Sequence, residues 1–133
     1  MISAQLARWS YLGLIVLQPA WHGLAPPPAG AGSWLLAAAA ALPLLLPLKG
    51  VWRGSLRSMT WAGYLAMLYL VIGVMEAWAN PPQRAAAILQ VVLIAVFVGG
   101  ALAYSRESAA KTAPRSALPR RGAAPQKTRY KAN

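Results

Sequence analysis

A chain of 133 residues that is 58% hydrophobic and only 11% charged departs from the composition of a soluble globular domain, and its length leaves room for one domain. It has no cysteine, which removes a disulfide framework, a thiolate metal site and a cysteine nucleophile. A net charge of +11 would suit a nucleic-acid binder if it covered a folded surface, but eight of the thirteen Lys and Arg residues fall between Arg106 and Lys131, so the basicity belongs mainly to a tail.

Hydrophobicity in long, nearly uncharged segments is what a bilayer requires, because roughly 30 Å of hydrocarbon takes about 20 apolar residues at 1.5 Å each. The first such segment runs from about Gln5 to Leu24 and contains YLGLIVLQPAWHGL. A signal peptide is its rival reading, with Arg8 as the basic region and Tyr11 to Leu17 as the apolar one, but Gln18 and Pro19 before Ala20 make a poor cleavage pattern. APPPAGAG, Ala25 to Gly32, then ends the helix and forms a short uncharged loop. The second segment, SWLLAAAAALPLLLPL, opens on Ser33 as an N-cap and carries Pro43 and Pro47 four apart. Each proline removes a backbone donor, so a kink is expected that neighbouring helices must cover. KGVWRGSLRS, Lys49 to Ser58, is a polar loop with three cations and no acid. The third segment, Met59 to Ala79, holds Glu76, and NPPQR makes a tight turn into the fourth, Ala85 to Tyr104. Beyond Arg106 prolines and cations recur without large apolar residues, a composition that cannot fold alone.

The expectation is therefore an all-α protein: a four-transmembrane-helix bundle over residues 1–105, with spans near 5–24, 33–48, 59–79 and 85–104, and a disordered basic C-terminal tail over 106–133. Twelve Lys and Arg residues flank the spans on the side of the termini and only Arg84 on the other, so both termini are expected in the cytoplasm. Trp9, Tyr11, Trp52, Trp61, Tyr64 and Tyr104 mark one interfacial level, and Trp21, Trp34 and Trp78 mark the opposite one.

Ala62, Ala66, Tyr69, Gly73, Glu76 and Asn80 recur at spacings of three and four, which puts small and polar residues on one helical stripe. Arg8, Tyr11, Ile15, Gln18 and His22 form a second such stripe in the first segment. The intramembrane polar groups thus collect at the end opposite the termini: Gln18, His22, Glu76, Arg84 and Gln90. One reading makes Glu76 and His22 a proton-handling or cation-coordinating pair in a transport pathway. The structural reading pairs Glu76 with Arg84 across the turn, with His22 and Gln18 joining the first and third helices. One histidine and one membrane carboxylate fall short of a metal site, so neither a metal nor another cofactor is expected. Glu76 has no acidic partner in the folded part, and Ser10, Ser55 and Ser58 lie at the opposite end from His22, so an enzyme is not expected either. Gly99, Gly100 and Ala103 fit close helix packing. The expected partners are the lipid bilayer, a membrane protein, and anionic lipid at the basic tail at about 1 kcal/mol per cation near the surface. Nucleic acid is not expected, because Tyr130 is the only aromatic residue among the tail's cations.

LQPAWH (Leu17 to His22), LPLLLPLKG (Leu42 to Gly50) and the spaced set Trp61, Tyr69, Gly73, Glu76, Asn80, Pro81 and Arg84 resemble the pattern of an uncharacterised family of small four-span proteobacterial inner-membrane proteins. The resemblance covers about residues 5–106 and leaves out the tail. It implies a bacterial inner-membrane location and supplies no activity. Small multidrug transporters are similar in size and carry one membrane glutamate, but theirs lies in the first helix and Glu76 lies late in the third. The reading is a non-enzymatic membrane component that interacts with a protein or lipid partner; the alternative is a small proton- or cation-coupled transporter using Glu76 and His22.

Overall fold

A computed structural model describes residues 2–24 and 33–112, and the described residues form helices and tight turns without a strand. The loop over 25–32 and the stretch 113–133, most of the expected tail, lie outside the described residues.

Helix α1, Ile2–Pro19, ends where Pro19 has no N–H to give, and the chain rewinds into a wider π-helical turn over Ala20–Leu24. Helix α2, Trp34–Leu45, starts at Ser33, whose hydroxyl accepts the Leu36 amide at 3.2 Å. It breaks at Leu46 and Pro47, and a short helix α3, Leu48–Trp52, follows. The span expected over 33–48 is thus two helices, because Pro47 cannot continue the ladder and instead caps α3. Neighbours reach this stretch: Tyr11 from the first helix donates to the Leu44 carbonyl at 2.7 Å, beside the break, and Tyr69 donates to the Ala40 carbonyl one turn earlier.

Helix α4 runs Leu56–Ala79, and helix α5, Arg84–Thr112, follows a 3₁₀ turn over Pro81–Gln83. The fourth segment therefore does not stop at Tyr104, and residues 106–112, expected to be disordered, are helical. Ala109 and Ala110 favour helix, Ser3 donates to the Glu107 carboxylate at 2.8 Å, and Thr112 bonds back to Ser108 at 3.0 Å. Two stretches, Leu56–Ala79 and Pro81–Thr112, are long and apolar enough to cross a membrane, and α2 is a shorter apolar helix. Only 28% of the most apolar window in each is buried within the bundle, which is too little for the core helix of a soluble domain.

Helix α1 lies antiparallel on α5: Ser3 meets Glu107, Ala7 meets Gly100, Gly13 faces Leu93, and Gln18 meets Gln90. At Gly100 a Cβ would come within 2.9 Å of the Ala7 nitrogen and 3.1 Å of the Ser3 carbonyl, so only glycine permits this crossing. Helix α2 returns along α1, from Trp34 against Gly23 to Leu44 beside Tyr11. The core between the helices holds Ala7, Tyr11, Leu14, Leu44, Ala66 and Phe97, with the Tyr11 and Phe97 rings 4.9 Å apart. The stripe Ala62, Ala66, Tyr69 and Gly73 faces inward, as its small residues foretell.

The aromatic belt needs correction at three positions, Tyr104 being half-buried with its hydroxyl on the Gly54 carbonyl. Tyr11 and Trp21 are buried and spend their polar atoms inside the bundle, whereas Trp9, Trp34, Trp52, Trp61, Tyr64 and Trp78 stand on its outer surface.

Candidate functional site

At the end of the bundle where α1 gives way to the π-helical turn and α4 turns into α5, two of the three buried glutamines, Gln18 and Gln90, meet. Gln18 follows Leu14 by one turn on the inward face of α1, and Gln90 shares the buried face of α5 with Ala87 and Ile94. The Gln18 Nε2 donates to Gln90 Oε1 at 2.8 Å, and Gln90 Nε2 donates to the Tyr69 backbone carbonyl at 2.7 Å. Both glutamines are 1% exposed, so each hydrogen bond replaces a lost contact with water. Gly73 leaves the room: a Cβ there would lie 3.1 Å from Gln90 Nε2 and 3.3 Å from Val91. Three helices, α1, α4 and α5, are thereby tied by one chain of hydrogen bonds.

His22 is half-buried on the π-helical turn, its ring stacked on Trp21 with centroids 5.1 Å apart and planes 8° from parallel. It is not hydrogen-bonded to Gln18. The buried Trp21 instead donates its indole N–H to Gln83 in the turn between α4 and α5.

The expected Glu76–Arg84 ion pair is not formed. Asn80, one turn beyond Glu76 on the same stripe, donates its amide to the carboxylate. Arg84 is exposed and its Nε donates to the Ala77 carbonyl at 3.0 Å. The physical reason lies in the prolines: the helical donor for the Ala77 carbonyl would be residue 81, and Pro81 has no N–H, so Arg84 satisfies the carbonyl left over.

A cavity of about 310 Å³ opens among α1, α2, α4 and α5, with Gln18, Trp21, His22, Ala40, Tyr69 and Gln90 on its walls. It is roomy enough for several waters at about 30 Å³ each and offers them amide, imidazole and phenol groups. Among the described residues no three His, Asp or Glu side chains come together as a metal site. Of the five sequence candidates, Gln18 and Gln90 are bonded to each other, His22 shares their cavity, and Glu76 and Arg84 hold separate partners at the helix ends. Sequence reasoning missed Tyr69 and Trp21 as members of the cluster, since both were read by type, one as part of a small-residue stripe and the other as a belt residue. The helical spacing of Trp21 from Gln18 is the signal that could have found it.

No curated protein and no solved structure matches this chain. A family model described as "Predicted membrane protein (DUF2069)" matches residues 6–109, most of the chain. The chain belongs to this family of membrane proteins of unknown function.

Proposed function

We propose that this chain is a four-span, non-enzymatic component of the bacterial inner membrane, with both termini cytoplasmic, that interacts with a protein or lipid partner. The observation that carries the reading is the use of the buried polar groups: Gln18 of α1 is hydrogen-bonded to Gln90 of α5, and Gln90 to the Tyr69 carbonyl of α4, so they join helices, while Glu76 is held by Asn80 at the end of its own helix. Four spans are supported by the antiparallel order of α1, α2, α4 and α5. Residues 2–24 reach roughly 33 Å at helical rise, and α2 with α3 carries the chain back along α1. Exposed Trp9, Trp52 and Trp61 near one end and Trp34 and Trp78 near the other suit two interfaces.

The cavity beside His22, at the end of the bundle where α4 carries Glu76, favours the second reading, a small proton- or cation-coupled transporter. Proteoliposomes separate the two. On the leading reading, an imposed pH gradient collapses no faster with the wild-type protein than with Glu76→Gln or His22→Gln. A flux that requires Glu76 and His22 would replace it with the transporter.

A further inference from the structure

At the opposite end of the bundle, four cations of the folded part gather, and the one carboxylate described there, Glu107, is bonded to Ser3 rather than to any of them. Arg8, Lys49, Arg53 and Arg57 form no ion pair among the described residues, and no acidic residue precedes Glu76 in the chain. Glu76 lies at the far end, and Glu107 accepts from Ser3. Arg8 is partly buried beside the turn after α3: its Nη2 is 3.3 Å from where a Gly54 Cβ would sit, and its Nε is buried with no hydrogen-bond partner among the described residues. That turn is fixed, since Gly54 has φ of 76° and its carbonyl accepts the Tyr104 hydroxyl at 3.2 Å. A guanidinium is planar, always charged and suited to a phosphate, and leaving one of its nitrogens buried and bare is costly.

Next to this corner, a groove runs between α1 and the α2–α3 pair. Leu12, Leu45, Leu48 and Trp52 line it, and Lys49 and Arg53 stand with them. Leu12 lies one helical turn from Arg8, so the guanidinium and the groove share a face of α1. Trp9 packs edge-on against Trp52 at 5.8 Å, at the level where indoles meet headgroups. An apolar slot with cations at its mouth complements one class of ligand, a lipid with an anionic head and an acyl chain.

We propose that this groove is a binding site for an anionic phospholipid, its phosphate held by Arg8, Lys49 and Arg53 and one acyl chain laid along Leu12, Leu45 and Leu48. The site belongs to the folded bundle and is distinct from any attraction of the basic tail to the membrane. It rests on the proposed membrane placement only in setting this end of the bundle at a lipid headgroup layer.

The test is lipid retention by the full-length protein, purified in mild detergent, offered equal phosphatidylglycerol and phosphatidylcholine and read by native mass spectrometry. Wild type is expected to retain phosphatidylglycerol selectively. Arg53→Gln or Lys49→Gln should lower the selectivity about 5-fold and Arg8→Gln with Arg53→Gln roughly 30-fold, from about 1 kcal/mol per cation. Arg57→Gln, outside the groove, and Arg120→Gln with Arg121→Gln, in the tail, should leave it unchanged. Lys49 and Arg53 are exposed, so their variants keep the fold even if Arg8→Gln does not. Equal retention of both lipids by wild type, indifference to the groove variants, or loss of selectivity with the tail variant would each overturn the site. Displacement of the lipid by millimolar inorganic phosphate or by a polyglutamate peptide would also overturn it, assigning the cations to a free anion or an acidic protein. Labelling that placed this end outside the cell would defeat the proposed orientation and leave the lipid selectivity standing.

Discussion

Replacing Gln90 by methionine, close to it in length and volume, removes two short hydrogen bonds while leaving the packing nearly intact. The Tyr69 carbonyl keeps its place in the helical ladder of α4, so its loss is small. Gln18 fares worse: its only other acceptor is the Leu14 carbonyl at 3.5 Å, at the limit of a useful bond. A net hydrogen bond contributes about 1 kcal/mol and a bare buried donor costs about 1 to 3 kcal/mol, with values in membrane proteins toward the low end. Gln90→Met should therefore destabilise the bundle by about 2 kcal/mol. Gln18→Met with Gln90→Met removes the stranded donor as well, so the double variant should be less destabilised than the sum of the singles by about 1 kcal/mol. Unfolding titrated with sodium dodecyl sulfate in mixed micelles and followed by far-ultraviolet circular dichroism measures all four proteins. Additive single effects, or a Gln90→Met cost below about 0.5 kcal/mol, would refute the reasoning.

Three further outcomes are expected in the same assay. Gly100→Ala should cost about 1 to 3 kcal/mol, since its methyl would press on the backbone of Ala7 and Ser3, whereas Gly99→Ala, with nothing within 4 Å, should stay within about 0.5 kcal/mol; equal effects would contradict the crossing. Tyr11→Phe should cost about 1 kcal/mol by baring the Leu44 carbonyl at the proline break while retaining the ring contact with Phe97, and no loss would mean the hydroxyl caps nothing. Glu76→Gln and Arg84→Ala should act independently, because their partners are Asn80 and the Ala77 carbonyl; a coupling above about 1 kcal/mol, or rescue by a charge swap, would restore the ion pair that the fold lacks.

The helices and their inward faces were legible because membrane helices write them in composition. Ala62, Ala66, Tyr69 and Gly73 recur at helical spacing, and that stripe is the buried one. Pro43 and Pro47 announced a break and the need to cover it, but not that Tyr11 would donate beside it, since the donor comes from a helix remote in sequence. The expected pairings of the polar residues differ from the observed ones: Gln18 bonds to Gln90, and Glu76 and Arg84 hold separate partners. Complementary charge suggested Glu76 with Arg84, whereas backbone accounting decided otherwise: Pro81 frees a carbonyl, and the nearest cation takes it. The extension of α5 to Thr112 includes a contact of Glu107 with Ser3, which sequence separation concealed.

The central claim is a four-span bundle with the Gln18–Gln90 end on one side of the membrane and both chain termini on the other. Because the chain has no cysteine, single cysteines at Leu24, Ser55, Asn80 and Ser108 can report each end without background. With an impermeant maleimide applied to intact cells whose outer membrane has been opened, the account predicts labelling at Leu24→Cys and Asn80→Cys, and protection of Ser55→Cys and Ser108→Cys until the inner membrane is broken. Protection of Leu24→Cys together with Ser55→Cys would contradict it, because the first helix would then not cross.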